Sequence, residues 1–364
     1  MYIYALLILI WMIIKIAKKP KPIGIYSIRF RYALMLAIPL ILIMGLRHIS
    51  VGVDTMQYQF RFDHAKDSLD SSDAQIEIGY TLINYFICDV LYLNYQAFLL
   101  ISSSFYCIVL ALFISKYSTN VLMSFFLHLT IGMFTMSMSG IRQSMAVSFC
   151  ILAYMIVGSN KQRLLKYVMA IALNLIAITI HTSSIIFLPF LFLGKLRLSR
   201  VKAFLLILFG LSSQLIKTYL IPYSNLIMFV KYEEMDFESN YSANILVYII
   251  PLLISLFCWF FAKVEGDGRY SIQISHMFVF VSFVLFFINL MSLNNQLGRL
   301  SYYFIYSYYI LIPYAFSSMK LNSKNILQPF AIALCLAYFI IGSIGGILHI
   351  DNYLFFWEDA LPQQ

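Results

Sequence analysis

The chain has 364 residues, of which 62% are hydrophobic and 11% charged, with a mean hydropathy of +0.84. A soluble domain is nearer half apolar and a quarter charged, so the composition excludes a water-soluble globule and predicts an integral membrane protein. The formal net charge of +9 would suggest nucleic acid in a soluble chain; here it is read as basic cytoplasmic loops, and no nucleic-acid partner is expected.

At about 20 apolar residues per helical span, this length holds roughly ten to twelve crossings and no separate soluble core. The expectation is an all-α polytopic membrane protein, a single transmembrane domain over 1–364, with about 11–12 membrane segments. The first apolar run, 2–16, has no charge before it and Lys15, Lys18, Lys19 and Lys21 at its end and beyond. That order is the reverse of a signal peptide and predicts an uncleaved first span with its N-terminus outside. Further runs fall at 32–46, 95–115, 120–138, 143–158, 165–180, 184–194, 203–221, 244–262, 271–291, 300–317 and 326–348. A broken run at 77–93 carries Glu77, Asn84 and Asp89.

The intervals 17–31, 159–164, 195–202, 263–270 and 318–325 are basic, whereas 47–76, 222–243 and 350–364 are acidic. Placing the basic set in the cytoplasm puts most of the Lys and Arg inside. The stretch 47–94 then becomes an outer loop bearing an interfacial or re-entrant helix at 77–93, and 222–243 a second outer loop. Two basic loops, 159–164 and 195–202, lie too close in sequence for two full crossings. A break at His181-Thr182-Ser183-Ser184 resolves this, because irregular backbone at membrane depth is tolerated where protein or water surrounds it.

Ionisable residues at such depths mark function by default. Arg47, Arg142 and Arg299 each end or begin an apolar run on the outer side, where positive charge is otherwise avoided. One such Arg reads as a headgroup anchor. Three, each beside Gly or amide residues, read as a clamp for a pyrophosphate, whose oxygens suit the guanidinium fork. His181, Asp54 and Glu77 are the candidates for a general base, His181 first; either acid could instead be a counter-ion to an Arg. The Tyr302–Tyr309 run suits an interfacial aromatic belt, with a sugar-contacting wall as the alternative. The five Cys are scattered and the spacing Asp70-Ser71-Ser72-Asp73 suits no metal, so neither metal site nor cofactor is expected.

These motifs, taken together, carry a resemblance. Arg47, then Val51-Gly52-Val53-Asp54-Thr55, Tyr58 and Glu77-Ile78-Gly79-Tyr80, resemble the N-terminal signature of the EpsG family. Gly140-Ile141-Arg142-Gln143-Ser144-Met145-Ala146, His181-Thr182-Ser183-Ser184 and Gly298-Arg299-Leu300-Ser301-Tyr302-Tyr303 are similar to its later segments, in the same order. The resemblance implies a Wzy-type polymerase of O-antigen, capsule or exopolysaccharide, with a GT-C-like architecture, in the bacterial inner membrane. The implied substrate is an oligosaccharide repeat unit on undecaprenyl pyrophosphate at the periplasmic face, the side on which the charge order already places the N-terminus. On this reading Arg47, Arg142 and Arg299 hold the pyrophosphate, His181, Asp54 or Glu77 activates the acceptor, and Tyr58, Tyr80, Gln143, Tyr302 and Tyr303 lie on the glycan side. A chain-length regulator and a flippase of the same pathway are the implied partners beside membrane lipids. The competing classes are a transporter of lipid-linked oligosaccharide, which predicts an internal repeat and charges along a transmembrane path, and a membrane acyltransferase that decorates the glycan.

Overall fold

A computed structural model describes residues 2–17, 26–70, 77–158, 164–193, 196–220, 246–264, 268–291, 295–344 and 353–358. The expected outer loop 222–243 lies outside the described residues. Among them every element is helical apart from one isolated antiparallel bridge, Arg47 to Phe355.

The helices are α1 (Tyr2–Ala17), α2 (Tyr26–Gly45), α3 (Thr55–Asp63), α4 (Ala65–Asp70), α5 (Ile78–Tyr85, continued by a π-helical turn Phe86–Val90), α6 (Tyr95–Tyr117), α7 (Val121–Thr130), α8 (Met133–Ser139), α9 (Ile141–Val157) and α10 (Leu164–Ile180). A 3₁₀ helix, Thr182–Phe192, follows. Then come α11 (Arg200–Leu220), α12 (Leu246–Phe261), α13 (Arg269–Leu290), α14 (Asn295–Arg299), α15 (Tyr302–Ile305), α16 (Tyr308–Ser317) and α17 (Leu321–Ile344). Four of these, α2, α6, α13 and α17, are long and apolar enough to cross a membrane. The pair α7–α8 makes a fifth candidate, bent by 60°. Several shorter apolar helices of 10–17 residues follow the remaining runs, and the protein is an all-α polytopic membrane protein.

Two elements differ in detail from the periodicity. The run 120–138 is not one rod: it breaks at Ile131-Gly132, and α8 begins anew with Thr135 Oγ1 donating to the Gly132 carbonyl at 2.8 Å. The run 184–194 is 3₁₀ rather than α. Elsewhere local chemistry starts the helices as expected: Asn94 accepts from the Ala97 N–H at 2.9 Å, and Asn120 from the Met123 N–H at 3.1 Å, each satisfying a donor that the first turn leaves unpaired.

The fold divides into two compact units, Met1–Ile185 with Gln328–Gln364, and Ile186–Leu327. In the first, α6 lies between α2 and α9; α9 packs on α10, α10 on α5, and α5 on α3. Lipid is as apolar as Leu, so close packing and interhelical hydrogen bonds, rather than transfer from water, hold such spans together. In the second, α13 is the central helix, with α11, α12 and α16 against it. Its core is aromatic: Phe187, Phe190, Phe280, Phe283 and Phe304 have neighbouring ring centroids 4.6–6.4 Å apart.

Candidate functional site

The first unit gathers Glu77, Arg142 and His181 into one cluster. Glu77 precedes α5, Arg142 is the second residue of α9, and His181 sits at the junction where α10 gives way to the 3₁₀ helix. The junction is built from the sequence: the His181 N–H still closes on the Ala177 carbonyl at 2.9 Å, but the next bond, Ser184 N–H to the His181 carbonyl at 3.0 Å, is one residue tighter. Buried Asn174 bridges across it, donating to the Ser184 carbonyl at 3.4 Å.

Each oxygen of the Glu77 carboxylate is engaged. Oε2 accepts from Arg142 Nη1 at 2.6 Å. Oε1 faces His181 Nδ1 at 3.0 Å and accepts the Thr182 N–H at 3.2 Å. The last contact places a carboxylate on the N-terminus of the 3₁₀ helix, where its charge meets unpaired N–H groups. Burial alone would raise the Glu77 carboxyl above its ordinary 4.5; the His181 hydrogen bond and the Arg142 charge outweigh that and hold it at about 2. Glu77 is therefore an anion at any physiological pH. Because Oε1 is an acceptor, Nδ1 of the neutral imidazole carries the proton, and Nε2 is left with the lone pair. Nε2 has no hydrogen-bond partner among the described residues, and the His181 side chain keeps 23% of its surface exposed.

Arg142 also lies over two aromatic faces, 5.5 Å from the Tyr58 ring centroid and 5.7 Å from that of Tyr80. The two rings meet edge to face at 5.9 Å. Such contacts hold a guanidinium while leaving N–H donors for other acceptors. Gly79 makes the arrangement possible: a Cβ there would stand 2.3 Å from Thr179 Oγ1 and 2.7 Å from the Thr179 carbonyl. Only a bare backbone lets α5 approach α10 closely enough for Glu77 to reach His181. The segment Glu77-Ile78-Gly79-Tyr80 thus supplies the carboxylate, the close approach and one wall of the arginine's seat.

Arg47 has a different position. It is 1% exposed, and its guanidinium donates to the Met44 carbonyl and, at 2.9 Å, to the Met138 carbonyl. The rest of its motif folds onto the same place: the Val53 N–H reaches Ser139 Oγ at 3.3 Å, and Thr55 Oγ1 donates to the Val51 carbonyl at 2.7 Å. A Cβ on Gly52 would meet Thr55 Oγ1 at 2.7 Å, so the glycine's bareness serves the loop's own turn. The segment 353–358 closes over it from the other side. His48 N–H donates to the Leu354 carbonyl at 2.8 Å, Phe356 N–H to the Leu46 carbonyl at 2.9 Å, and Tyr353 hydroxyl to the Ile43 carbonyl at 2.6 Å. Arg47 fastens the loop to the end of α8, directly before the turn that carries Arg142.

Asp54 stands half-buried ahead of α3, and its carboxylate makes no capping bond to that helix. Gln143 is buried beside Arg142 in α9. Arg299, Tyr302 and Tyr303 belong to the second unit: Arg299 is exposed at the end of α14, Tyr302 is partly exposed and Tyr303 fully buried. Tyr306, Tyr308 and Tyr309 are buried as well, so most of that tyrosine run packs inside its own unit.

One residue of the cluster has no place in the sequence reading. Arg61 follows Tyr58 by one helical turn on α3, within electrostatic range of Arg142, Glu77, Tyr58 and Tyr80. Burial lowers its affinity for its proton, and the like charge of Arg142 lowers it further. The available signal was the face of α3 itself: Thr55, Tyr58 and Phe62 are its buried positions, and Arg61 borders them.

The order of motifs around this cluster is decisive. The chain matches the model of the EpsG family over residues 30–355, which includes Arg47, Tyr58, Arg61, Glu77, Arg142 and His181. The chain belongs to the EpsG family. No curated protein and no solved structure matches it. EpsG is a family of Wzy-like polymerases, and at this level the chain is a glycosyltransferase-like polysaccharide polymerase of the membrane.

Proposed function

We propose that this EpsG-family protein joins oligosaccharide repeat units carried on undecaprenyl pyrophosphate, at the outer face of the bacterial cytoplasmic membrane. The observation that carries the reading is the Glu77 carboxylate, bound by Arg142 on one oxygen and His181 on the other. It orders an acid–base group and a phosphate-binding group side by side.

The acceptor hydroxyl of one lipid-linked unit attacks the anomeric carbon of the donor glycan. Its proton passes to His181 Nε2, whose lone pair is set free because Nδ1–H is committed to Glu77. As the new C–O bond forms, the bond between the anomeric carbon and the pyrophosphate oxygen breaks, and undecaprenyl pyrophosphate leaves with the electron pair. Arg142 stabilises the charge that grows on this leaving group, held in place by Glu77 and the Tyr58 and Tyr80 rings. His181 then returns its proton to solvent or to the departing pyrophosphate. A single displacement inverts the anomeric centre. Glu77, with both oxygens occupied, positions His181 and does not itself abstract the proton. Arg47 serves the site through the backbone it fastens.

The test is glycan length in the host. A null mutant should display single repeat units on the lipid carrier or its acceptor; His181→Ala and Arg142→Ala should reproduce that phenotype at normal protein level. Loss of all surface units in the null would instead identify an export function and overturn the reading.

A further inference from the structure

Glu77 forms ion pairs with Arg142 and with His181, and Arg61 is in neither. Arg61 Nη1 is buried with no hydrogen-bond partner, and so is Arg142 Nε. A buried donor on a charged group left without an acceptor is destabilising, the more so in a low-dielectric site. Glu77 cannot relieve it, because its oxygens are taken by Arg142, His181 and the Thr182 N–H. Asp54 lies within electrostatic range of Tyr58 but is in neither ion pair, so what the two guanidiniums lack here is acceptor oxygens.

Resting on the pyrophosphate reading above, we infer that Arg61 is a second substrate-binding arginine, whose guanidinium shares with Arg142 the two phosphoryl groups of the donor. A single phosphate offers its charge to one fork; a pyrophosphate presents two linked anionic groups and suits two arginines on separate helices. The placement of Tyr58 and Arg61 on one face of α3 gives that helix two contacts with the same ligand: Tyr58 seats Arg142, and Arg61 adds the second fork. This accounts for an arginine kept half-buried next to another arginine without a carboxylate of its own.

The full-length protein in detergent, probed with inorganic pyrophosphate and, separately, farnesyl pyrophosphate, tests the inference by thermal melting at fixed ionic strength, with orthophosphate and sulfate as controls. Both pyrophosphates should raise the wild-type Tm saturably, and neither control should. Arg61→Gln should weaken binding about tenfold, the worth of one charge-assisted hydrogen bond, with Arg61→Lys in between. Without ligand, Arg61→Gln should melt no lower than wild type, since it removes an uncompensated buried charge. Wild-type affinity in Arg61→Gln, or a ligand-free Tm well below wild type, would overturn the role of Arg61 and leave the proposed reaction standing. Absence of any pyrophosphate binding by the wild type, together with unaltered polymer in Arg142→Ala cells, would overturn the reaction and the inference with it.

Discussion

Arg47 Nη2 donates to the Met138 carbonyl at 2.9 Å, joining the loop after α2 to the end of α8 just ahead of Arg142. A charge spent on backbone carbonyls in a fully buried place is an architectural one. Arg47→Met should therefore lower stability by about 2–4 kcal/mol, from charged hydrogen bonds lost and carbonyls left unpaired. Arg47→Lys should recover part of it. The check is thermal melting of purified protein with its level in the membrane; wild-type Tm for Arg47→Met would refute this role.

Glu77→Gln keeps the shape of the side chain and removes its charge. Arg142 and His181 then lose their common partner, and Nδ1 of His181 is no longer held as a donor. Polymerisation should fall by about ten- to a hundredfold, the usual worth of a group that orients a catalytic one. Measured with varied acceptor, the loss should appear in turnover more than in KM. A variant with full turnover would assign the orientation of His181 to something else.

The acid limit of the fold carries the same signature. The Glu77 carboxyl is held at about 2 against an ordinary 4.5, so the unfolded chain takes up its proton first as pH falls. The pair's contribution is complete above pH 4.5 and is lost between 4.5 and about 2. The difference in Tm between wild type and Glu77→Gln should close steadily as pH falls from 4.5 towards 2. A difference that does not shrink on acidification would remove the ion pair as its cause.

Gly79→Ala places a methyl group against Thr179, on both its hydroxyl and its carbonyl. Shortening the neighbour with Thr179→Ala removes the Oγ1 contact at 2.3 Å but not the carbonyl contact at 2.7 Å. The single glycine variant should lose most polymer, and the double variant should regain only a minor part. Full rescue by Thr179→Ala would show that the hydroxyl alone sets the approach of α5 to α10.

Much of this was legible in the order of residues, for identifiable reasons. Helical, membrane-spanning character followed from composition, and the break at His181 from two basic loops set too close for two crossings. Glu77, Arg142 and His181 stood out singly as polar groups in apolar surroundings. Their partnership did not, because 65 residues separate Glu77 from Arg142 and 104 separate it from His181. The misplaced charge of Arg47 was visible too. What it faces was not: backbone carbonyls have no letter in the sequence, so a guanidinium enclosed by them reads the same as one awaiting phosphate. Tyr303, Tyr306, Tyr308 and Tyr309 illustrate a second ambiguity, since an aromatic belt, a sugar wall and a buried core are all written with the same residues. Arg61 was hidden for the opposite reason, as one charge in a stretch rich in them.

The bridge between Leu46–His48 and Leu354–Phe356 has a consequence for biosynthesis. The hydrogen bond from Tyr353 to the Ile43 carbonyl spans 310 positions, and its neighbours in the bridge are as remote. α2 and the loop after it leave the ribosome long before residues 353–358 are made. The loop that fastens the arginine turn is thus completed only after translation has passed α17, so every earlier intermediate of insertion holds Glu77, Arg142 and His181 without their final latch. A nascent chain stalled short of residue 353 is inserted and unfinished.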